Sequence, residues 1–364
     1  MRNAIHDMPR VLLVGNYLSS SVGVRGVCEE LADRLAASGW DVLRASSRPG
    51  RLARLADMLA TTWTHRHDYD LAHVDVYSGP AFFLAEAVAF ALRRAHKPYA
   101  LTLHGGGLPQ FARGRERRVR NLLASAEAVT APSGFLAEEM QRYHPDIRLV
   151  PNAIDLARYP FRLRNGARPR LVWVRAFHDI YDPTLAIRTL ALLRARIPEI
   201  TLEMVGPDKH DGSLERARAA AVSLGVDQAV GFRGAVQKSE IPAAIDRGDI
   251  FLNTTTIDNT PVSVVEAMAC GACIVSTNVG GIPHLLRAGV DALLVNSGDE
   301  RQMASAVERL LGDPALAARL SQAARTKAEA FDWSAVLPEW QTLLGSLRRT
   351  AWVSPGLRVS GEPL

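Results

Sequence analysis

The sequence predicts an α/β protein of two Rossmann-like, doubly wound parallel-sheet domains that face a central cleft, with helices at the C-terminal end. Two observations predict this class: strand patterns alternate with amphipathic helix patterns, and a polar, proline-containing stretch interrupts the alternation near mid-chain. The chain has 364 residues, more than the roughly 100–200 of one ordinary domain. We therefore predict an N-terminal domain over 1–150, a linker over 151–169, a C-terminal domain over 170–335, and a C-terminal helix and tail over 336–364.

The N-terminal half begins with the apolar run RVLLVGN at Arg10, which is typical of a buried parallel strand. The next segment has apolar residues at helical spacing from Val24 to Leu35, and Gly39 follows where a helix would end. Further strands are predicted at DVLRAS, DLAHVDV, YALTL, AVTAP and IRLVPN, with helices over 51–62, 81–94 and 134–143 and a basic helix before AVTAP. This order predicts a parallel sheet, because each strand returns through a helix.

The linker prediction rests on PNAIDLARYPFRLRNGARPR, from Pro151 to Arg170, which is polar and rich in proline. The alternation then restarts with strands at RLVWVR, TLEMVG, VGFRG, DIFLNT, CIVSTN and ALLVN and helices over 183–196, 213–224, 240–245, 262–269 and 283–287. From Asp299 to Arg348 the pattern is that of consecutive helices. Ligands of such sheets bind beyond the carboxyl ends of the strands, so functional residues are expected there.

The net charge of +5 is concentrated in RGRERRVR, from Arg113 to Arg120. This stretch is either a solvated helix face or a contact for an anionic membrane surface or a phosphorylated acceptor. Nucleic acid is not expected as a partner, because aromatic residues are 6% of the chain and are not interleaved with the basic ones.

The first residues lack the apolar stretch of a secretory signal, and no apolar run is long enough to span a bilayer. We expect a cytoplasmic protein, with peripheral contact to the inner face of the membrane through Arg113–Arg120. The cysteines cannot form a disulfide framework. Cys270 and Cys273 have redox spacing, but they follow a predicted helix instead of starting one, so we expect buried structural thiols and no zinc site.

The stretch IDNTPVSVVEAMACGACIVSTNVGGIPHLL, from Ile257 to Leu286, holds two acidic residues, Asp258 and Glu266, around the start of a short helix. Pro261 suits the first helical turn and Thr260 suits the cap before it. The free N–H groups of a helix start favour an anion, and a carboxylate one turn further on can accept hydrogen bonds from a ribose or sugar diol. A nucleotide-sugar would need this combination. The alternative is a surface glutamate and a loop-capping aspartate.

This stretch resembles the retaining glycosyltransferases of family 4, which have the two-domain GT-B fold. The resemblance rests on two acidic residues separated by seven others, then EAMACG, a strand and a Gly-Gly turn, at Asp258, Glu266, Gly271, Gly280 and Gly281. The first acidic residue of the family is usually glutamate, so Asp258 is shorter by one methylene. The segment LVPNAIDLARY also resembles the interdomain segment of the family.

The family also has an arginine after a strand and a lysine about five residues later, which hold the donor pyrophosphate. In VWVRAFHDIYDP the arginine is Arg175, but Ile180 and Tyr181 stand where the lysine is expected. Lys209 or Lys238 could supply the missing charge, and the hydroxyl of Tyr181 could donate one hydrogen bond. Which of these groups compensates is left open by the sequence.

The N-terminal half is similar to the acceptor-side domain of the family. NYLSSSVGVRG occupies the place of a glycine loop near the donor, with Gly23 and Gly26 available, and a G-x-G-x-x-G dinucleotide fingerprint is absent. In LTLHGGGLP, His104 ends a strand at the position of a family histidine that contacts the transferred sugar. The alternative is a structural histidine. HGGG also resembles an esterase oxyanion loop, but the chain has no Gly-x-Ser-x-Gly elbow.

The resemblance implies a metal-independent hexosyltransferase (EC 2.4) without a cofactor. It would move a sugar from a UDP- or GDP-sugar to a glycan or lipid-linked acceptor with retention, in polysaccharide, exopolysaccharide or glycolipid biosynthesis. The alternatives are a UDP-sugar 2-epimerase of the same fold and a non-catalytic carbohydrate- or nucleotide-binding protein. The resemblance implies catalytic roles for His104, Arg175 and Asp258 and donor-binding roles for Gly23, Arg175, Tyr181, Asp258, Asn259, Thr260, Pro261, Val262 and Glu266.

Overall fold

The structure, a computed structural model, describes residues 9–17, 26–48 and 50–351. Its contacts divide the chain into two compact units. Of the described residues, the first unit contains 9–17, 26–48, 50–131, 140–148 and 337–351, and the second contains 132–139 and 149–336. The segment predicted as a linker therefore belongs to the second unit, and most of the last helix belongs to the first.

Within the described residues, the first unit is built on a six-stranded parallel sheet of order β2-β1-β3-β4-β5-β6. The chain leaves β1 for one edge and returns to β3 on the other side, so the switch point of the sheet lies between β1 and β3. The strands are β1 Arg10–Val14, β2 Asp41–Ala45, β3 Leu71–Val76, β4 Tyr99–Leu103, β5 Ala128–Ala131 and β6 Ile147–Leu149. The helices along this half are α1 Val27–Ala37, α2 Arg51–Thr64, α3 Pro80–Arg94, α4 Leu108–Arg113, α5 Glu116–Leu123 and α6 Gly134–Met140.

The basic stretch forms two helices, where the sequence predicted one. Gly114 follows the last residue of α4 as its C-cap, and α5 begins at Glu116. Its arginines contact their own unit: the guanidinium of Arg118 lies 4.3 Å from the ring centre of Phe83 and 2.7 Å from a carboxylate oxygen of Glu86. Part of the predicted basic surface is therefore paired with side chains of the protein itself.

The second unit has, in its described part, a six-stranded parallel sheet of order β12-β11-β10-β7-β8-β9. Its switch point lies between β7 and β10, and apolar clusters cover both faces. The strands are β7 Arg170–Val174, β8 Thr201–Val205, β9 Val230–Phe232, β10 Ile250–Asn253, β11 Cys273–Thr277 and β12 Leu293–Val295. The helices along this half of the chain are α7 Pro183–Arg194, α8 Ser213–Ser223, α9 Ile241–Asp246, α10 Val262–Ala269, α11 Ile282–Leu285, α12 Glu300–Gly312, α13 Pro314–Ala328 and α14 Trp333–Ala351, the last of which lies mostly in the first unit.

An arginine cluster fastens the predicted linker to the second unit. The Arg164 side chain is fully buried and donates to Asp246 and to the carbonyl oxygen of Gly248, each at 3.1 Å. Arg162 and Arg168 both donate to Asp249 at 2.8 Å. Burial raises the pKa of Asp249, but these arginines lower it further, to well below the usual value.

The predicted structural thiols are confirmed. Cys270 and Cys273 are free and buried, and burial raises the pKa of each thiol to about 12. Among the helices that the structure describes, none combines the length and apolar character needed to cross a bilayer.

Candidate active site

Arg175 stands at the switch point of the second sheet, directly after β7. Its backbone is packed closely against Gly206, which follows β8: a Cβ on Gly206 would lie 1.7 Å from the carbonyl oxygen of Arg175. Gly206 also has a φ of +153°. Only glycine therefore fits, and this close approach fixes where the arginine leaves the sheet.

The guanidinium of Arg175 forms a salt bridge with Asp258, which lies in the loop after β10. It also lies 4.1 Å from the ring centre of Tyr181 and 3.4 Å from the hydroxyl oxygen of Ser263. Burial raises the pKa of Asp258 above its usual value, although Arg175 and the backbone N–H of Asn259 oppose that rise. The structure thus brings Arg175 and the nearby Tyr181 together with Asp258, which is 83 positions from the arginine.

The Gly-Gly turn fixes the loop that holds Asp258. The N–H of Gly281 donates to the carbonyl oxygen of Asp258 at 2.9 Å. A Cβ on Gly280 would lie 2.2 Å from that oxygen, and a Cβ on Gly281 would lie 1.8 Å from the carbonyl oxygen of Asn259. The glycines are needed because two backbone segments meet here without room for a side chain.

Helix α10 spans Val262–Ala269, as the sequence predicts, but Pro261 precedes its first turn. Pro261 is its N-cap, with φ −68° and ψ 114°, and no side-chain hydrogen bond caps the helix. The predicted cap at Thr260 is therefore wrong: the carbonyl oxygen of Pro261 already accepts from Val264 at 3.0 Å, which makes the proline the capping residue. In the part of the chain that the structure describes, the N–H groups of Val262 and Ser263 have no acceptor. These are two donors for an anion at the helix start.

Glu266 lies in α10 and is only 4% exposed, so it is not the surface glutamate of the alternative interpretation. Its Oε1 atom accepts from the hydroxyl of Tyr159 and from the ammonium of Lys238, each at 2.6 Å. The ammonium of Lys238 belongs to a half-exposed side chain. Lys238, one of the two candidates for the missing lysine, therefore sits at the glutamate, whereas Tyr181 lies against Arg175.

His104 belongs to the first unit, at the carboxyl end of β4. Its Nε2 atom lies 3.0 Å from Oδ1 of Asp75, and its ring stacks on Tyr77 with centres 4.9 Å apart and planes at 18°. The residue as a whole is 8% exposed. Gly23, the remaining predicted donor residue, lies outside the described residues.

Sequence reasoning missed Tyr159 and Asp75. Tyr159 reaches Glu266 from the segment predicted as a linker, 107 positions away. Asp75 reaches His104 from 29 positions away, across neighbouring strands. The available signal was Asp75 itself, a charged residue near the end of an otherwise apolar strand pattern, at a place where parallel strands position ligand groups.

The second unit therefore offers an anion site beside carboxylates, with Arg175 and two helix N–H groups converging at a switch point. This chemistry suits a phosphate group next to hydroxyl groups. Two parallel-sheet units with such a site define the class of GT-B glycosyltransferases. The family model for glycosyl transferases group 1 matches residues 168–313, and that for glycosyltransferase family 4 matches residues 22–158. The chain belongs to glycosyltransferase family 4.

Curated relatives agree with this assignment. The D-inositol 3-phosphate glycosyltransferase of Arthrobacter sp. (strain FB24) is 25% identical over 246 residues, which cover 64% of this chain and 58% of that protein. The glycogen synthase of Mycobacterium tuberculosis is 27% identical over 287 residues, covering 75% of this chain and 66% of that protein. The matched region thus spans less than two thirds of either relative.

Solved structures show the same fold. Sucrose-phosphate synthase from Thermosynechococcus elongatus has a TM-score of 0.77 and 20% identity, covering 94% of this chain and 100% of that one. Anabaena HepE, in complex with UDP and glucose, has a TM-score of 0.74 and 19% identity, covering 93% of this chain and 100% of that one. The predicted GT-B class is confirmed.

Proposed function

We propose that the protein transfers a hexose from a nucleotide-diphosphate sugar to a hydroxyl group of a glycan or lipid-linked acceptor. The observation that supports this most is the convergence of Arg175, Asp258 and the start of α10 at one switch point, next to the buried Glu266. Arg175 and the N–H groups of Val262 and Ser263 bind the diphosphate. Glu266 holds the ribose, and Asp258 orients hydroxyl groups of the sugar.

The chemistry follows from where charge develops. When the bond between the sugar and the diphosphate breaks, negative charge grows on the leaving phosphate and positive charge on the sugar ring. Fixed donors aimed at the phosphate stabilise this transition state more than the ground state. On this proposal the diphosphate takes Arg175 from its salt bridge, which frees the carboxylate of Asp258 for the sugar. These groups supply the charge stabilisation without a metal ion, and the reaction proceeds with retention.

For the donor we propose a UDP-sugar first. One support is that HepE, which has this fold, was solved with UDP and glucose. The other is that the resemblance to family 4 implies a UDP- or GDP-sugar donor. GDP-sugars are the alternative. We place the acceptor in polysaccharide, exopolysaccharide or glycolipid biosynthesis, on the resemblance that the sequence shows.

Product analysis tests the proposal. Purified protein is incubated with a panel of UDP- and GDP-sugars and pooled glycan or lipid acceptors, and the products are followed by mass spectrometry. We expect a new glycoside and a free nucleoside diphosphate in the presence of EDTA. A sugar epimerised at C2 would establish the epimerase instead, and binding without any product would establish a non-catalytic binding protein.

A thermal-shift panel tests the donor site itself. A donor at a hundred times its Kd stabilises the folded protein by about 2.7 kcal/mol. We expect the matching nucleotide-sugar to raise the melting temperature of the wild type and to raise that of Glu266→Gln much less, because the amide cannot accept from both ribose hydroxyl groups as a carboxylate does. An equal shift in both proteins would remove Glu266 from the ribose role.

We also propose peripheral contact with an anionic membrane surface through Arg113–Arg120. The support is the exposed basic face of α5 and the loop before it. Replacing the five arginines by glutamine should abolish sedimentation with phosphatidylserine vesicles while leaving the melting temperature near that of the wild type. Unchanged sedimentation would end this proposal.

A further inference from the structure

A buried polar cluster lies at the switch point of the first sheet, between the carboxyl ends of β1 and β3. Asp75 is at its centre and contacts side chains from its own strand, from the end of β4 and from α1. The Nε2 atom of His104 lies 3.0 Å from Oδ1 of Asp75, and that of His73 lies 3.8 Å from the same oxygen. The thiol of Cys28 in α1 faces the carboxylate as well.

The place of the carboxylate is fixed by the backbone of β1. A Cβ on Gly15 would lie 2.6 Å from Oδ2 of Asp75 and 2.5 Å from Sγ of Cys28. The glycine that ends the first strand therefore leaves room for both side chains. The side chains of His104 and Asp75 are 10% and 4% exposed, so water competes little for their contact.

The protonation of the pair follows from the donors that are present. Burial raises the pKa of Asp75, but the neighbouring His104 and His73 lower it further, to below its usual value. The carboxylate is therefore ionised near neutral pH and can only accept hydrogen bonds, so Nε2 of His104 must be the donor. Burial lowers the pKa of His73 to about 4, so that ring stays neutral. His73 instead contacts the hydroxyl of Thr102 at 2.6 Å.

The second ring nitrogen of His104, Nδ1, is available to a ligand. Among the described residues, no hydrogen-bond partner reaches Nδ1. In a neutral imidazole, a proton on Nε2 leaves a lone pair on Nδ1, which can accept from a hydroxyl group. Stacking on Tyr77 prevents the ring from turning away.

We propose that Asp75 is a positioning residue for the transfer reaction, which holds His104 in one orientation and one tautomer so that Nδ1 accepts from a sugar hydroxyl group. The inference rests on the proposed function and deepens it: Asp75 itself touches no substrate. It acts through the imidazole, as the orienting member of a carboxylate–histidine pair does.

A double-mutant cycle tests this role by kinetics. Asp75→Ala should lower kcat about 10- to 100-fold with little change in KM for the donor, because a misplaced group loses transition-state contacts. Asp75→Asn should recover part of the loss, because its amide oxygen can still accept from Nε2. In a His104→Gln background, Asp75→Ala should have almost no further effect, because its only route to the substrate is gone. An equal loss in both backgrounds would show a merely structural role and overturn the proposal.

A matched control comes from the same cluster. Thr102→Val removes the hydrogen bonds to His73 and Thr130, each 2.6 Å long, but leaves the contact between Asp75 and His104. Its kcat should stay within about two-fold of wild type even though its melting temperature falls. A loss of kcat like that of Asp75→Ala would mean that any disturbance of the cluster has this effect, which contradicts a specific role for Asp75.

A spectroscopic readout separates this inference from the proposed function. Long-range proton–nitrogen correlation spectra of histidine-labelled protein, assigned with His104→Gln, report which ring nitrogen carries the proton. We expect a single Nε2–H tautomer in the wild type and a mixture in Asp75→Ala. A mixture in the wild type would overturn the inference even if transfer is observed. A locked tautomer in a protein that transfers no sugar would overturn the proposed function and confine Asp75 to setting the tautomer.

Discussion

At the scale of single residues, Arg175 has the largest expected effect, because its guanidinium contacts both the hydroxyl of Ser263 at the start of α10 and the carboxylate of Asp258. The spacing of Arg175, Asp258 and Glu266 could be found in the sequence. Their contacts could not: the sequence offers Tyr181 and Lys238 as alternatives, but only the fold shows that Tyr181 lies against Arg175 while Lys238 and Tyr159 reach Glu266.

Arg175→Ala should lower kcat about 100- to 1,000-fold, because one fixed donor to the developing phosphate charge is removed. Steady-state kinetics with the matching nucleotide-sugar measure this effect. Arg196→Ala is the control, because Arg196 is an exposed arginine of the same unit that pairs with Glu308 at 2.8 Å. Equal activity of the two variants would exclude Arg175 from the reaction.

At the scale of elements, the pattern of apolar runs predicted most strands and helices, because parallel strands covered on both faces are continuously apolar. The apolar pattern failed at places where a single residue ends a helix or caps it. The basic segment splits at Gly114, and the N-cap of α10 is Pro261 and not the predicted Thr260. A periodic pattern cannot place such ends, since they depend on which backbone N–H groups find acceptors and which carbonyl groups find donors nearby.

The Gly-Gly turn yields a prediction at this scale. Gly281→Ala should weaken donor binding and destabilise the second unit by about 1–3 kcal/mol, because the new methyl group would push away the loop that holds Asp258. Urea unfolding and the thermal-shift panel measure the two effects. In Gly231→Ala, no atom lies within 4 Å of the added Cβ. Donor binding and the free energy of unfolding of this variant should therefore stay near those of the wild type. Unimpaired donor binding in Gly281→Ala would contradict the proposed role of the turn.

At the scale of the whole molecule, two doubly wound sheets were predictable from the repeated alternation of strands and helices, and the two units of the structure bear this out. The segment 151–169 was not predictable in the same way. Its prolines and arginines suggest a solvated connection, yet Arg164 is fully buried, because carboxylates at Asp246 and Asp249 and a nearby carbonyl group pair with its guanidinium. The sequence shows the same residue whether an arginine is buried and paired or exposed, so the burial of Arg164 could not be predicted.

The arginine cluster yields a prediction about stability. Asp249→Asn should lower the free energy of unfolding by about 3–5 kcal/mol at neutral pH, because it leaves buried positive charge unpaired. The folded pKa of Asp249 is depressed, so its contribution is present above the unfolded value of about 4 and is lost as pH falls below it. The difference in the free energy of unfolding between the wild type and Asp249→Asn should therefore become smaller in acid.

Urea titrations followed by circular dichroism at neutral and acid pH measure that gap. Asp227→Asn is the control, because Asp227 is exposed and its carboxylate accepts from the side chain of Gln228. A gap for Asp249→Asn that is no larger than the one for Asp227→Asn would show that the cluster does not stabilise the segment.

The most direct test of the central claim, that Arg175 and the start of α10 bind a diphosphate, is calorimetric binding of UDP and UMP, with GDP and GMP alongside, in the presence of EDTA. We predict that the wild type binds one nucleoside diphosphate much more tightly than its monophosphate and that Arg175→Ala loses most of this difference. Equal affinity of the wild type for the diphosphate and the monophosphate, or tight binding that appears only when a divalent metal is added, would contradict the account.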